Sequence, residues 1–403
     1  MTEVWALAAL WLGLALIATL LSIWLGVATA LSEIVVGTVA QLIIGAFVGR
    51  ALLGTSEPWV TFLSGTGAIV LTFLAGAELD PTVLRAKWRE TMGIGLVGFF
   101  APFLGCTAFT FFVLHWTGPS SWLAGVALST TSVAVVYAVM LELGLNSTGF
   151  GKAVLAACFV NDLGTVIALG LIFAPFTWKT VTFVVVSIVV LAVLPWVTPR
   201  FFRLYGGRPS ELEAKFLFLA LFGMGALAAW AESEAVLPAY LIGMVLAGTV
   251  GKDHALVRRL RTVTFGLLTP FYFIRAGSFV SVPALIAAPF SVLGLLLAKL
   301  VTKTVGVWPA TRFFRYPKQE AAYTTLLMST GLTFGSISAL FGLTHKIIDQ
   351  DQYSYLIAAV IGSAVLPTLV ANAFFVPKYL LAKPSPAAPG ASPTATTVEE
   401  LVH

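Results

Sequence analysis

Of the chain's 403 residues, 59% are hydrophobic and only 10% charged, and the formal net charge is +5. A soluble domain carries about 25% charged residues, so a water-soluble fold is excluded. The basic residues lie in short segments between apolar blocks, where they report membrane orientation and give no reason to expect nucleic-acid binding.

The apolar blocks number about thirteen, most of them long enough to cross a hydrocarbon core of ~30 Å as a helix. In chain order the expected spans are 4–27, 31–52, 59–79, 90–114, 120–141, 150–174, 180–199, 213–231, 236–250, 264–282, 287–310, 319–341 and 353–380. The first ends near Ala28-Thr29-Ala30, which resembles a signal-peptidase site. It lacks a basic leading region and is too long for a typical signal, so it is read as a span.

The third span closes on FLAGAELDP, where Glu78 and Asp80 stand at the boundary before Pro81 ends the helix. These carboxylates are either solvated caps or a weak cytoplasmic funnel for cations. The fifth span has four hydroxyl residues in its centre, Ser129, Thr130, Thr131 and Ser132. The twelfth has MSTGLTFGSIS at the same depth, with Thr330, Gly331 and Thr333 in it. Such stretches allow close helix approach. Alternatively, glycines weaken the helix and hydroxyls satisfy backbone groups freed by unwinding, so that carbonyls and helix ends face an ion.

The sixth span carries Asn161-Asp162 almost at its centre. A carboxylate there costs about 2.5 kcal/mol or more to insert, so it needs a compensating role. A group held out of water in this way can be satisfied by a proton or by a cation, and competition between the two suffices for exchange. The plain alternative is an ion-paired or hydrogen-bonded packing aspartate that only fixes the bundle. Arg275 is expected at the centre of the tenth span, with Asp162 as a possible partner. Lys299 and Lys303 lie one turn apart in the eleventh, where either head group could snorkel toward the interface.

Residues 384–403 are rich in Pro, Ala, Ser and Thr and read as a disordered cytoplasmic tail. Cys106 and Cys158 fall inside spans and suggest neither a disulfide framework nor a metal site. The four histidines have no metal-ligand or triad spacing. No glycine-rich nucleotide loop follows a strand, no cofactor is implied, and no nucleophile–base pair points to an enzyme.

Alternate inter-span segments hold seventeen lysines and arginines on one side and three on the other. Basic residues accumulate in the cytoplasm. The expected topology is therefore N-terminus outside and C-terminus cytoplasmic, in an inner (plasma) membrane. A faint echo recurs at an offset of 200 residues, with Phe73-Leu74-Ala75-Gly76 matching Phe273-Ile274-Arg275-Ala276 and Ser129-Thr130 matching Ser329-Thr330. Seven spans separate the matches, an odd number, so the matching helices cross in opposite directions as in inverted repeats.

FLAGAELDP, the STTSV cluster, Asn161-Asp162, and Lys303 with its context to Arg312 together resemble the monovalent cation:proton antiporter-2 family, the branch with Kef and Nap proteins. The resemblance implies an all-α membrane protein of thirteen helices with inverted-topology repeats and two crossing broken helices. It also implies a core part, spans 90–174 and 287–380, moving elevator-like against a scaffold that forms a homodimer in the bilayer. In it Asp162 alternates between proton and cation, Asn161, Thr130, Thr131 and Ser132 surround the ion, and Lys303 supports the crossing. Lys299, Arg275, Thr330, Gly331 and Thr333 stand as further supporting groups.

Three departures bear on mechanism. Electrogenic relatives carry two adjacent aspartates, whereas Asn161 cannot release a proton, so exchange of one proton per Na⁺ or K⁺ without net charge is expected. Arg275 has no expected counterpart, and STGLTFG replaces charged or amide residues. The competing readings are a sodium-coupled organic-anion symporter using Arg275 and Lys299 on its substrate, and a cation channel or sensor on the same fold.

Overall fold

The computed structural model describes residues 2–25, 28–47, 53–77, 87–145, 148–173, 177–208, 210–231, 233 and 235–380. Glu78, Asp80 and the tail at 384–403 lie outside the described residues, and with them the readings placed there. In lipid each backbone N–H and C=O must find a partner within its own segment, which leaves helices as the answer for long apolar runs.

The elements are α1 (Thr2–Leu25), α2 (Thr29–Phe47), α3 (Pro58–Ala77), α4 (Trp88–Phe112), α5 (Gly118–Ser129), α6 (Val133–Glu142), α7 (Gly149–Phe173), α8 (Trp178–Tyr205) and α9 (Leu212–Trp230). They continue with α10 (Val236–Leu246), α11 (His254–Val263), α12 (Thr269–Ser278), α13 (Val282–Ala287), α14 (Pro289–Phe313), α15 (Lys318–Met328), α16 (Thr333–Thr344) and α17 (Gln350–Val370). Among the described residues nine helical stretches are long and apolar enough to cross a membrane, and α2 and α10 are shorter apolar helices. The two remaining crossings are composite. α5 and α6 form one, interrupted at 130–132, and α11 and α12 form the other, joined by a π-helical turn at Thr264–Leu268.

The interruptions fall where the hydroxyl clusters are. Thr130 leaves the helix with extended backbone at φ −62°, ψ 153°, and Leu332 sits at φ −147°, ψ −73° before α16 begins. Hydroxyls satisfy carbonyls near the ends of the half-helices: Ser129 Oγ donates to the Val126 oxygen and Thr130 Oγ1 to that of Ala127, while Ser329 and Thr330 do the same for Thr325 and Leu327. The two breaks are bonded to each other, since the Ser132 amide donates to the Thr330 carbonyl at 3.2 Å and Thr131 Oγ1 to that of Met328 at 2.9 Å. Two broken helices therefore meet at mid-chain.

The 200-residue echo has a packing counterpart. α3 crosses α10 so closely that a β-carbon on Gly76 would fall 2.3 Å from the Tyr240 carbonyl oxygen, and one on Gly243 would fall 2.2 Å from that of Phe73. α12, the counterpart of α3, crosses α2 through Gly277 and Gly37 in the same manner, at 2.0 Å from the Ile34 oxygen and 2.2 Å from the Ile274 oxygen. Small residues at a crossing let backbones touch, which is where helix association in lipid finds its van der Waals energy.

Three buried clusters follow. The largest gathers α4 to α7 and α14 to α17 around the breaks and takes in residues of α2, α3, α10 and α12 packed against them; a second joins α3, α8, α9, α10 and α11, and a small third one joins α1, α3 and α12 through Trp11, Val60 and Phe271. On α8, Val185, Ile188 and Val189 face outward, as a lipid-contacting helix requires.

One boundary differs from the sequence reading in a way that matters. The tenth crossing begins at His254, not near 264, because α11 is amphipathic: Leu256 and Leu260 are buried while Arg258, Arg259 and Arg261 are on its polar side. Asp253 caps it by accepting from the Leu256 amide at 3.0 Å. An apolar window misses such a turn and shifts the centre of the span, so Arg275 belongs to the last turn of the crossing and not to its middle.

Candidate functional site

α7 passes beside the breaks and delivers Asn161 and Asp162, which are 0% and 1% exposed. The Asn161 amide is bonded through both its nitrogen and its oxygen. Its Nδ2 donates to the Ser129 carbonyl at 3.1 Å, and its Oδ1 accepts from Lys303 Nζ at 2.8 Å. Lys303 Nζ also donates to Thr131 Oγ1 at 3.0 Å, and Thr131 in turn donates to the Met328 carbonyl. A chain of hydrogen bonds thus runs from α14 through α7 and the first break into the second. Thr165, one turn after Asn161, donates to the Asn161 carbonyl at 3.2 Å.

Asp162 stands at the edge of this network. Its Oδ1 is buried and accepts no hydrogen bond among the described residues, while the Thr131 amide donates toward the carboxylate and the two lysines act on it through space. No ion pair within the usual bridging distance joins it to either lysine among the described residues. The ion-pair form of the packing-aspartate alternative therefore has no counterpart in this geometry. An acceptor oxygen with no donor, buried in a layer of hydroxyls and carbonyls, is arranged to receive a proton or a cation.

Lys299 and Lys303 are both completely buried, so the snorkelling reading is corrected for each. Their head groups point to the crossing, where the carbonyl ends of half-helices offset the cost of burial.

Arg275 is also corrected as a partner of Asp162. Its Nε donates to the Thr55 carbonyl at 2.8 Å, in the α2–α3 connection, and its guanidinium lies 5.3 Å from the Phe279 ring. The late start of the tenth crossing explains this displacement. Arg275 thus bonds at the α2–α3 connection, whereas the Lys299 head group lies against Gly331. Thr130, Thr131, Ser132, Thr330 and Gly331 gather at the breaks, and Thr333 opens α16, half-buried. Among the described residues no group of three or more His, Cys, Asp or Glu could hold a resident metal ion.

Tyr240 escaped the sequence reading. It sits on α10, is fully buried, and donates from its hydroxyl to the Phe159 carbonyl at 3.0 Å, three residues before Asp162. Its ring meets Phe334 of α16 edge-on at 5.7 Å. A tyrosine in an apolar helix carries no pattern that distinguishes it from packing, and only the fold shows what it touches. Glu33 of α2 is likewise buried, at 2% exposure, and was hidden by its place next to a span boundary.

With this geometry in hand, the profile of the transmembrane sodium/hydrogen exchanger family matches residues 8–376. The chain belongs to that family of monovalent cation:proton antiporters. Among its relatives, a Na⁺/H⁺ antiporter of Enterococcus hirae is 24% identical over 83% of this chain and 91% of its own length. The Na⁺/H⁺ antiporter NhaS4 of Synechocystis is 25% identical over 85% and 92%, and the Na⁺/H⁺-K⁺ antiporter GerN of Bacillus cereus 24% over 80% and 85%. The fold is that of the solved sodium proton antiporter MjNhaP1 of Methanocaldococcus jannaschii, with a TM-score of 0.66 at 14% identity, covering 93% of this chain and 96% of that one. For this exchanger-family chain the multi-pass membrane reading is established.

Proposed function

We propose that the chain exchanges a monovalent cation, Na⁺ or K⁺, for a proton across an inner membrane, with Asp162 as the group that both occupy in turn. The observation that carries this reading is the buried Asp162 oxygen with no donor, set against an Asn161 whose Nδ2 and Oδ1 both have partners. Family membership supports the class of reaction, and the relatives named as Na⁺/H⁺ and Na⁺/H⁺-K⁺ antiporters support the two candidate cations.

In the cation-loaded form the Asp162 carboxylate supplies the charge, while oxygens of Thr130, Thr131 and Ser132 supply further ligands. In the proton-loaded form Asp162 is neutral and the cation leaves. Lys303 fixes Asn161 and Thr131 on either side of the carboxylate and keeps its own proton through the cycle. One titrating carboxylate gives one proton per cation, so exchange moves no net charge.

Alternating access follows from movement of the helices around the largest cluster, α4 to α7 and α14 to α17, against the scaffold helices, with a homodimer holding the scaffold in place. The N-terminus is outside and the C-terminus cytoplasmic. The assay is a pH-gradient measurement in proteoliposomes with Na⁺, K⁺ and Li⁺ in turn, comparing the parent with Asp162→Asn. The variant should fold and lose exchange to the level of empty vesicles; retained exchange removes Asp162 from the mechanism. An imposed voltage should leave the parent rate unchanged, and a steep voltage dependence would refute the one-for-one stoichiometry.

A further inference from the structure

Two lysines stand one turn apart on α14, and only Lys303 has hydrogen-bond partners. Lys299 Nζ is buried and makes no hydrogen bond among the described residues. Its position is fixed by a glycine. A β-carbon on Gly331 would fall 2.1 Å from Lys299 Nζ, 2.9 Å from Thr130 Oγ1 and 3.3 Å from the Thr130 carbonyl oxygen. No side chain larger than hydrogen fits there while the lysine is in place. The ammonium is therefore lodged on the bare α-carbon of the second break, next to the first.

The internal repeat gives this placement its meaning. The breaks at 130–132 and 330–332 are equivalent at an offset of 200. α7 and α17 are equivalent at nearly the same offset, which brings Ser363 to the place of Asp162. The contacts agree: the Thr131 amide acts on Asp162 in one half, and Ser363 Oγ reaches the Gly331 carbonyl at 3.4 Å in the other. At that place the second half has Ser363 and not a carboxylate, and beside its break sits a lysine ammonium.

Building on the reading of Asp162 as the exchanging group, we propose that Lys299 is a tethered cation, occupying at the second break the place the transported ion takes at the first. In this account its positive charge offsets the carbonyl end of α15. The crossing then carries one exchangeable cation instead of two, and Gly331 is small because the ammonium needs its space. Lys299 is a positioning residue in this account; it touches neither the ion nor the proton.

Two measurements test it, one of which needs no transport. The first is a double-mutant cycle on melting temperature in detergent with Gly331→Ala, Lys299→Ala and the pair. Gly331→Ala should lower the melting temperature of the parent by several degrees and that of Lys299→Ala far less. Additive effects would show that the ammonium does not rest on Gly331 and would overturn the proposal.

The second follows tracer-cation exchange at equal pH on both sides of proteoliposomes. Lys299→Met keeps the length and removes the charge, and should slow exchange at least tenfold. Lys299→Ala should be equally slow and recover in a saturable manner when propylammonium is added, whereas the parent, Lys299→Met and Asp162→Asn should not respond. Parent-like exchange in Lys299→Met, or no recovery of Lys299→Ala, would overturn the proposal. Failure of the Asp162 reading is seen separately, as exchange retained in Asp162→Asn.

Discussion

The two breaks of the crossing share a backbone and differ in chemistry. At the first, Thr131 is held by Lys303 and faces Asp162; at the second, Gly331 faces Lys299 and Ser363. Repetition supplies half-helix ends twice, because the Ser-Thr pair at each interruption recurs at 129–130 and 329–330. The difference teaches that the inverted repeat builds the frame, while departures from the repeat decide where an ion binds. A symmetric pair of carboxylates would bury two negative charges in one layer, at a cost of roughly 2.5 kcal/mol or more each on insertion scales.

The sharpest way to break this contrast is to compare Asp162→Asn with Ser363→Ala. The first should abolish exchange, a loss of at least about a hundredfold, and the second should change it less than about threefold. Similar losses in both would mean that the halves are functionally equivalent. Next in size is the effect of protons on the first half alone. If a proton and a cation compete for Asp162, lowering the pH should raise the apparent KM for the cation by up to about tenfold per pH unit, with maximal rate much less affected. A KM independent of pH between about 6 and 9 would separate the two events.

Lys303→Ala should come third. It leaves Asn161 Oδ1 and Thr131 Oγ1 buried without their donor, at a cost of roughly 1 to 3 kcal/mol for each unsatisfied group. The melting temperature in detergent should fall by several degrees, and an unchanged value would mean that water replaces the ammonium.

The smallest effect is expected outside the membrane, where the second broken helix is tied to α4. Tyr316, just before α15, donates to Glu90, and its carbonyl accepts from Arg312. Burial, then Glu90, push the Tyr316 hydroxyl above its ordinary value. Folding thus keeps a proton that the unfolded chain loses. The stability from this contact is fully present below a pH of about 10 and is lost as the pH rises beyond that point. Tyr316→Phe should flatten the alkaline arm of a stability–pH profile by less than about 1 kcal/mol; an unaltered arm would show that the contact is not formed.

Much of this was legible in the chain because lipid is a demanding solvent. Hydropathy marks the crossings, and the polar residues that interrupt it, Ser129 to Ser132, Asn161-Asp162 and Lys299 to Lys303, stand out because each is costly there. Their depth along the helices followed from counting, and the repeat offset matched the two breaks. Arg275 was misplaced for the complementary reason: the amphipathic turns of α11 have too little apolar character to count toward a span, although they continue the same helix. Tyr240 and Glu33 gave no signal that separated them from packing or from a span end.

By itself, then, the order of residues determined that the chain lives in a bilayer, how often it crosses, and which layer of it is polar, since these depend only on how each segment partitions between water and hydrocarbon. Partnership was decided by the tertiary structure. Lys303 bonds Asn161 and Thr131 and not Asp162, Arg275 bonds Thr55, and Lys299 rests on Gly331. Those assignments turn on the angle and register at which helices pack, quantities fixed by close contacts at positions such as Gly76, Gly243 and Gly331 that no single helix contains.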